Sequence, residues 1–321
     1  MAIFEISLLA RVTWNLHSLN NEGTIGNVTE PRTVVLANGV KTDGVSGEML
    51  KHIHAYYVWL LAEDKSNFCE ACQKFHPQKA DKNTKIKRTD TPEKAMEMAI
   101  SSCVLCDLHG FLIQKPTISR PSTIEFGWAL GLPDKTHRGV HIHARHSMEG
   151  RVREEPESIE EKAEDLEAEE KTKETEVREV TAQMIYHRPT RSGVYAFVSV
   201  FQPWRIGLNE INYNYVISDD ERRFRYQLGL NAYKASFMRT DGAMVSTRLP
   251  HTENIEGIVA ISERNFPVPV ISPIDESFDK ILEDLANQTP GIQIKRFSNL
   301  SQLSLFLDDL TKEELFKLNI P

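Results

Sequence analysis

The stretch FEISLLARVTWNL, Phe4 to Leu16, puts Phe4, Ile6, Leu8, Ala10, Val12, Trp14 and Leu16 on one side and mostly polar residues, Glu5, Ser7, Arg11, Thr13 and Asn15, on the other. A period of two over that length marks a half-buried strand, so the chain is committed to a sheet with one covered face. A short strand is expected around Thr33 to Leu36, and Ser46 is placed to cap a helix whose apolar stripe is Met49, Ile53, Tyr57 and Leu60. Further along, STIEFGWALGL, GVHIHARH, TAQMIYHR and GVYAFVSVF each read as strands, and Asp219 to Arg239 as a helix with Phe224, Leu228, Ala232 and Ala235 on one side. The strand GIVAIS, a helix carrying Phe278, Ile281, Leu282 and Leu285, the strand IQIKRF and a helix with Leu300, Leu303, Leu307 and Leu310 complete the order. Strands and helices in this sequence fit an α+β fold of the split βαβ or ferredoxin-like kind.

The net charge of −8 is unevenly placed. Residues 149–180 hold 14 acidic and 6 basic side chains, which leaves 32 of each sign from the totals of 46 and 38. That acidic run is nearly without apolar residues and cannot bury a face, so a mobile insertion or a solvated helix is expected there. Elsewhere Lys79 to Arg88 carries five basic residues against one acid, and Lys115 to His146 five basic residues and four histidines against two acids. These are polyanion-binding surfaces or solvated loops. No window reaches the roughly 18 continuous apolar residues of a membrane span, and the N-terminus lacks the basic start and apolar core of a secretory signal. A cytoplasmic protein is expected.

All four cysteines sit in two pairs, Cys69/Cys72 in FCEACQKF and Cys103/Cys106 in SSCVLCDL. In a reducing compartment, paired spacing points to a metal or to redox chemistry rather than a disulfide framework. Four soft ligands suit tetrahedral Zn2+; the alternative is two pairs of buried thiols, since Cys103 and Cys106 also have helical spacing. Four thiolates saturate the ion and leave no position for water; His76 and His109 are the alternative ligands in reach of the pairs. The deaminase order of His-x-Glu before a Cys-x-x-Cys is absent, because HTE at His251 to Glu253 follows both pairs. The expected metal is a staple.

Other chemistry is thin. His141 and His143 share a strand face, a spacing that serves metal binding, solvent or phosphate contact. No Walker A pattern, strand-linked Gly-x-Gly-x-x-Gly or Gly-x-Ser-x-Gly elbow occurs. GVYAFVSV, Gly193 to Val200, is close to the aromatic RNP1 strand of RNA-recognition motifs, with Tyr195, Phe197 and Ser199 on one face and at least one ring expected in the core.

Four segments, NLHSLNNEGTIGNVTEPRT, GVSGEMLKHIHAYY, CDLHGFLI and TAQMIYHRPTRSGVYAFV, resemble the backbone subunit of type I CRISPR Cascade complexes, the DevR-like Cas seven family of the RAMP superfamily. The matches run in order from residue 5 to about 262. The resemblance implies a single RNA-recognition-motif-like (ferredoxin-like) palm over 1–321 with finger and thumb insertions. The finger-like, cysteine-containing insertion would be 66–110, and the strand-rich thumb-like excursion 111–180, including the charged run 149–180. It implies a non-catalytic subunit that polymerises along the crRNA spacer, with partners in neighbouring copies of itself, other Cascade subunits and, through the guide, the target DNA strand. No membrane partner is expected.

The implied RNA-binding residues are Asn15, His17 and Asn20 at or beyond the first strand's exit, Arg32, Ser46 and Gly47 at the helix start, Lys51 and His54 along that helix, and Gly242, Ser246 and Arg248 in a later loop. A helix amino end attracts phosphate through free N–H groups and its dipole, Arg forks a phosphate, and Lys51 adds a charge one turn on. The contrasting readings are a metal-dependent nuclease built on Asp107, His109 and the histidine strand, and a general single-stranded RNA binder.

Overall fold

The computed structural model describes residues 2–25, 28–145, 184–243 and 245–319; the acidic run 149–180, and with it part of the expected thumb-like excursion, lies outside them. The main elements are β1 (Glu5–His17), β2 (Lys41–Val45), α1 (Gly47–Leu61), α2 (Pro92–Ser101), α3 (Val104–His109), β3 (Ile124–Phe126) and β4 (Ala129–Arg145). After the undescribed stretch come β5 (Met184–Phe201), α4 (Asp219–Met238), β6 (His251–Ser262), α5 (Phe278–Gln288), β7 (Ile292–Phe297) and α6 (Leu300–Leu310).

The mixed α/β core is one sheet in which β7 pairs with β6, β6 with β1 and β1 with β5, all antiparallel. On its far side β5 pairs with β3 near Phe201 and with β4 over the rest of its length. Leaving out the edge strand β7, the strands β2 and β4 on the far side, and the insertion helices α2 and α3, the chain order is strand, helix, strand, strand, helix, strand (β1, α1, β3, β5, α4, β6), with β1 and β5 in the middle. Beyond the Gly139/Thr190 pair, β4 and β5 continue outward as an arm on which Val140 and Ile142 are 62% and 67% exposed, joined at His187 by the short parallel strand Val28–Pro31. The two strand pairs expected from sequence thus merge: each arm is one long strand. Between Arg191 and Gly193 the register of β5 on β1 shifts, and a Cβ at Gly193 would meet the Lys135 carbonyl oxygen at 2.4 Å, so only glycine fits.

The expected half-buried first strand is buried on both faces. Its even positions pack with Tyr57, Phe197 and Tyr233 in the main core, while Leu9 joins Ile258, Phe278 and Leu282 in a second cluster under α5. Glu5 and Ser7, expected toward solvent, are buried, and Glu5 accepts hydrogen bonds from the Gln202 side chain and the Val268 N–H. Leu16, expected on the apolar face, is 53% exposed because its backbone turns left-handed at φ 53. The rings of GVYAFVSV also end in the core: Phe197 meets Phe237 edge-on at 5.1 Å and Tyr195 packs against Trp14 and His17. Neither ring has a face left for a base.

Residues 62–123 form an insertion between α1 and β3 that contains α2, α3 and a small hairpin, Phe111–Ile113 with Ile118–Arg120. It is docked through Asp107. One carboxylate oxygen accepts from Arg120 Nη2 at 2.7 Å, the other from Arg225 Nη1 at 2.9 Å, and the Gly207 N–H donates to both. Arg225 in α4 reaches back to the carbonyls of Ile100 and Ser101 at the end of α2, and Arg120 to those of Arg205 and Leu208. A carboxylate so enclosed is structural, so the nuclease constellation expected around Asp107 is not assembled.

Candidate functional site

Each cysteine pair occupies the same local position. Cys69 precedes the four-residue helix Glu70–Gln73 and Cys72 falls in its first turn; Cys103 precedes α3 and Cys106 falls in its first turn. A residue at the N-cap and another three places on face the same helix end, and Cys103 Sγ accepts the Cys106 N–H there at 3.4 Å. The two helix ends point their sulfurs at one another, so that all four lie within 4.8 Å of each other, buried and free of disulfides. The Cys72–Cys106 separation is 3.9 Å. A tetrahedron with arms of about 2.3 Å has sulfur–sulfur edges of about 3.8 Å, so the cluster is dimensioned for one tetrahedral metal ion. Hydrogen bonds from Cys103, Cys106 and Cys72 push the Cys69 thiol down, while Cys72 and Cys106 are pushed up, first through their hydrogen bonds to Cys103. Four donors around one point cannot all ionise without a cation among them.

The residues expected to bind RNA fall into three groups. The first is a buried wall where β1 ends and α1 begins. Ser46 caps α1 through the Met49 N–H, and its own N–H donates to Asn20 Oδ1 at 2.8 Å. A Cβ at Gly47 would lie 2.3 Å from the Phe126 carbonyl oxygen, so this glycine allows the helix to approach the sheet. The helix start is therefore closed by the protein rather than open to a phosphate. His17 is buried with Nε2 2.8 Å from the Tyr195 hydroxyl, and burial followed by the Arg191 charge lowers its pKa to about 3. His54 is buried as well, with its pKa lowered to about 3 by burial. Its Nε2 lies 3.0 Å from the Gly229 carbonyl, which fixes the proton on that nitrogen and makes Nδ1 the acceptor for His109 Nε2, also at 3.0 Å. The second turn of α1 thus faces the core with His54, against the expectation that this residue extends a ligand-facing stripe.

A second group is accessible. Asn15 is half-buried and donates to Glu253 Oε2, and Arg32 stacks 5.7 Å over Trp128. Arg248 is half-buried and donates to Ser18 Oγ; burial, then the charge of Arg188, holds its pKa below the usual arginine value. Ser246 and Gly242 are exposed, and the left-handed Gly242 sits over Tyr56 and His52 of α1. The third group is Lys51 alone. It lines a pocket of about 470 Å³ with Lys79, Gln78, His109, Gly110, Gln114 and Ser122 among its walls. Burial and then Lys79 lower the Lys51 pKa to about 8.

Two residues were missed in the sequence. Arg191, almost fully buried in β5, donates to the carbonyls of Asn20, Arg32 and Gly44 and so ties two connecting segments and the strand β2 to β5. Lys79 donates to the carbonyls of His109 and Gly110. The only sequence signal for Arg191 is a charged residue at the foot of an apolar strand. Lys79 opens the basic run to Arg88, and nothing in that run sets it apart. Of the histidine strand, His141 is exposed and bonds Thr190, so it does not join His109 in a metal set. Among the described residues, no helix is long and apolar enough to cross a membrane.

Comparison with known proteins places this geometry. The family model described as "CRISPR-associated negative auto-regulator DevR/Csa2" matches residues 8–281. A protein of Methanocaldococcus jannaschii named "CRISPR-associated protein Cas7/Cst2/DevR" is 26% identical over 284 residues, 83% of each chain. A chain of a solved "CRISPR RNA-guided surveillance complex, pre-nicking" shares the fold at a TM-score of 0.52 and 11% identity, covering 96% of this chain and 99% of its own.

Proposed function

Because the chain belongs to the DevR/Csa2 family of CRISPR-associated proteins, we propose that it is the non-catalytic crRNA-binding backbone subunit of a type I surveillance complex in the cytoplasm. Copies polymerise along the guide spacer and present it for pairing with the target DNA strand, beside other Cascade subunits. The observation that carries this reading is the β1-α1-β3-β5-α4-β6 order with β1 and β5 central, the topology of an RNA-recognition-motif or ferredoxin-like palm. The insertion 62–123 then corresponds to the expected finger (66–110), and the β4–β5 arm to the base of the thumb (111–180). With both faces of the palm covered, RNA is held along the rim by Asn15, Arg32, Lys51, Gly242, Ser246 and Arg248, while His17, Asn20, Ser46, Gly47 and His54 support that rim from behind. Recognition is of backbone and shape, since neither Tyr195 nor Phe197 of the expected stacking strand is free to stack.

The four cysteines hold a structural Zn2+ in this reading. The ion is saturated by thiolates and so clamps the insertion rather than activating water. The experiment for the function is to purify the protein with its native partners, extract the bound nucleic acid and sequence it. RNAs of uniform length sharing a repeat-derived end are expected; random fragments, or none, would reduce the family assignment to one of fold.

A further inference from the structure

Lys79 connects the two halves of the four-sulfur site. The short helix Glu70–Gln73 ends with the Phe75 N–H on the Cys72 carbonyl and the His76 N–H on the Ala71 carbonyl, around a left-handed Phe75 at φ 52. Lys79 is left-handed as well, at φ 45. Two such reversals close together, each uncommon for a residue with a Cβ, bring the segment after the first cysteine pair onto α3, the helix of the second. There the Lys79 ammonium donates at 3.1 Å to each of the His109 and Gly110 carbonyls, the last residue of α3 and its cap. Cys106 lies one turn earlier in the same helix.

Closing a helix end does not by itself call for a charge, and a half-buried ammonium needs a counter-charge. The nearby carboxylates are engaged elsewhere. Asp81 accepts the Gln114 N–H, and Asp107, the neighbour of Cys106, is taken by Arg120 and Arg225. Burial lowers the Lys79 pKa, and the charges that oppose this are those of Cys106, Cys72 and Cys103. Four thiolates around a divalent ion leave an excess of two negative charges, here enclosed by cysteines no more than 5% exposed. Charge buried in this way must be compensated close by, and residues just outside the ligands commonly set how tightly a metal is held.

We propose that Lys79 is the charge-balancing residue of the metal centre: its ammonium, fixed by the two carbonyls at the end of α3, offsets the excess negative charge of the four sulfurs. The inference rests on the zinc reading of the cysteines. It makes Lys79 a positioning residue rather than a ligand, and it gives the one basic residue that reaches from the first cysteine segment to the second helix a task in holding the metal.

The test uses the full chain loaded with Co2+ in place of Zn2+, whose sulfur-to-cobalt charge-transfer band reports the energy of the sulfur electrons. A nearby cation lowers that energy, so removing it should move the band to longer wavelength. Lys79→Met is expected to shift the band and to weaken Zn2+ binding, read by competition with a chromophoric chelator, about tenfold, the lower end of the losses for residues outside the ligand set. Lys79→Gln, which keeps an N–H donor for the carbonyls without the charge, should shift the band the same way. Lys79→Arg should leave band and affinity close to those of the natural protein, and Lys85→Met, at an exposed lysine of the same basic run, should change neither. A band unmoved in folded Lys79→Met or Lys79→Gln would make Lys79 a helix cap and overturn the inference while leaving the zinc reading intact. The lack of any cobalt–sulfur band in the natural protein would overturn the zinc reading and the inference together.

Discussion

Two cationic clusters share the insertion, one around Asp107 and one between Lys51 and Lys79, and Arg120 borders both. In the first, guanidiniums are fully buried and matched: Arg120 and Arg225 meet Asp107, and Arg225 also meets Glu221 at 2.7 Å. Both Asp107 oxygens are taken, and of the two guanidiniums only Arg120 Nε lacks a hydrogen-bond partner. In the second, two ammoniums stay half-buried without an ion pair among the described residues; Lys79 donates to the His109 and Gly110 carbonyls and has the cysteine sulfurs as its nearest negative charge. Buried charge tolerates no vacancy, since an unpaired ion away from water costs several kcal/mol, so complete pairing marks an anchor. Charge at the rim can wait for a partner, because water solvates it meanwhile. Cationic side chains therefore hold the insertion in one place and stay within reach of solvent in the other.

That contrast can be broken from either side. Replacing Cys69 with Ser, or treating the protein with a chelator, would remove the proposed metal centre, whose binding energy in small zinc domains is on the order of 10 kcal/mol. We expect one zinc per chain to be lost in metal analysis and the insertion to become protease-sensitive, with part of the RNA binding kept. Complete loss of RNA binding by a still-folded protein would mean that the insertion is the main RNA contact. Asp107→Asn, nearly isosteric, strands two buried guanidiniums and should cost about 3–5 kcal/mol in denaturant unfolding; a loss below about 1 kcal/mol would show that the cage is not the anchor.

Acid sharpens the comparison further. His17 and His54 are held neutral, with folded pKa values of about 3 against 6.5 in the open chain. The unfolded state binds more protons below pH 6.5, so stability is fully present above that pH and falls as pH drops toward 3. The slope is about 1.4 kcal/mol per pH unit for each ring, and His54→Asn should make it shallower; an unchanged slope would place the proton uptake elsewhere. The smallest effect belongs to the open cluster. Lys51, with its pKa lowered to about 8, loses its charge as pH rises through that value. RNA affinity should decline severalfold between about pH 7 and 9 in the natural protein and stay flat in Lys51→Arg, with unfolding stability within about 0.5 kcal/mol.

Much of the fold was legible. Alternation located β1, the Ser46 cap placed α1 to the residue, and the i, i+3, i+4 pattern around Phe278 found α5. The paired cysteines announced their cluster because N-cap and third-turn-residue spacing is a local property. Apart from Leu16, which a left-handed backbone turns outward, the misplaced side chains were a matter of a second layer. Glu5 and Ser7 looked solvent-facing until residues more than 260 positions away closed over them, as in the bond from Ser7 to the Pro269 carbonyl. His54 looked like a ligand-facing neighbour of Lys51 until α4 supplied the Gly229 carbonyl.

The sequence by itself determined the elements, their caps and the four-sulfur ligand set, since each follows from torsional preference and side-chain period within a dozen residues. Only the tertiary structure decided which charges are spent and which remain available. Pairing Arg225 with Asp107, or leaving Lys51 beside Lys79, depends on distances between segments that no local period encodes, and electrostatic energy is set by those distances and by how much water is left around them.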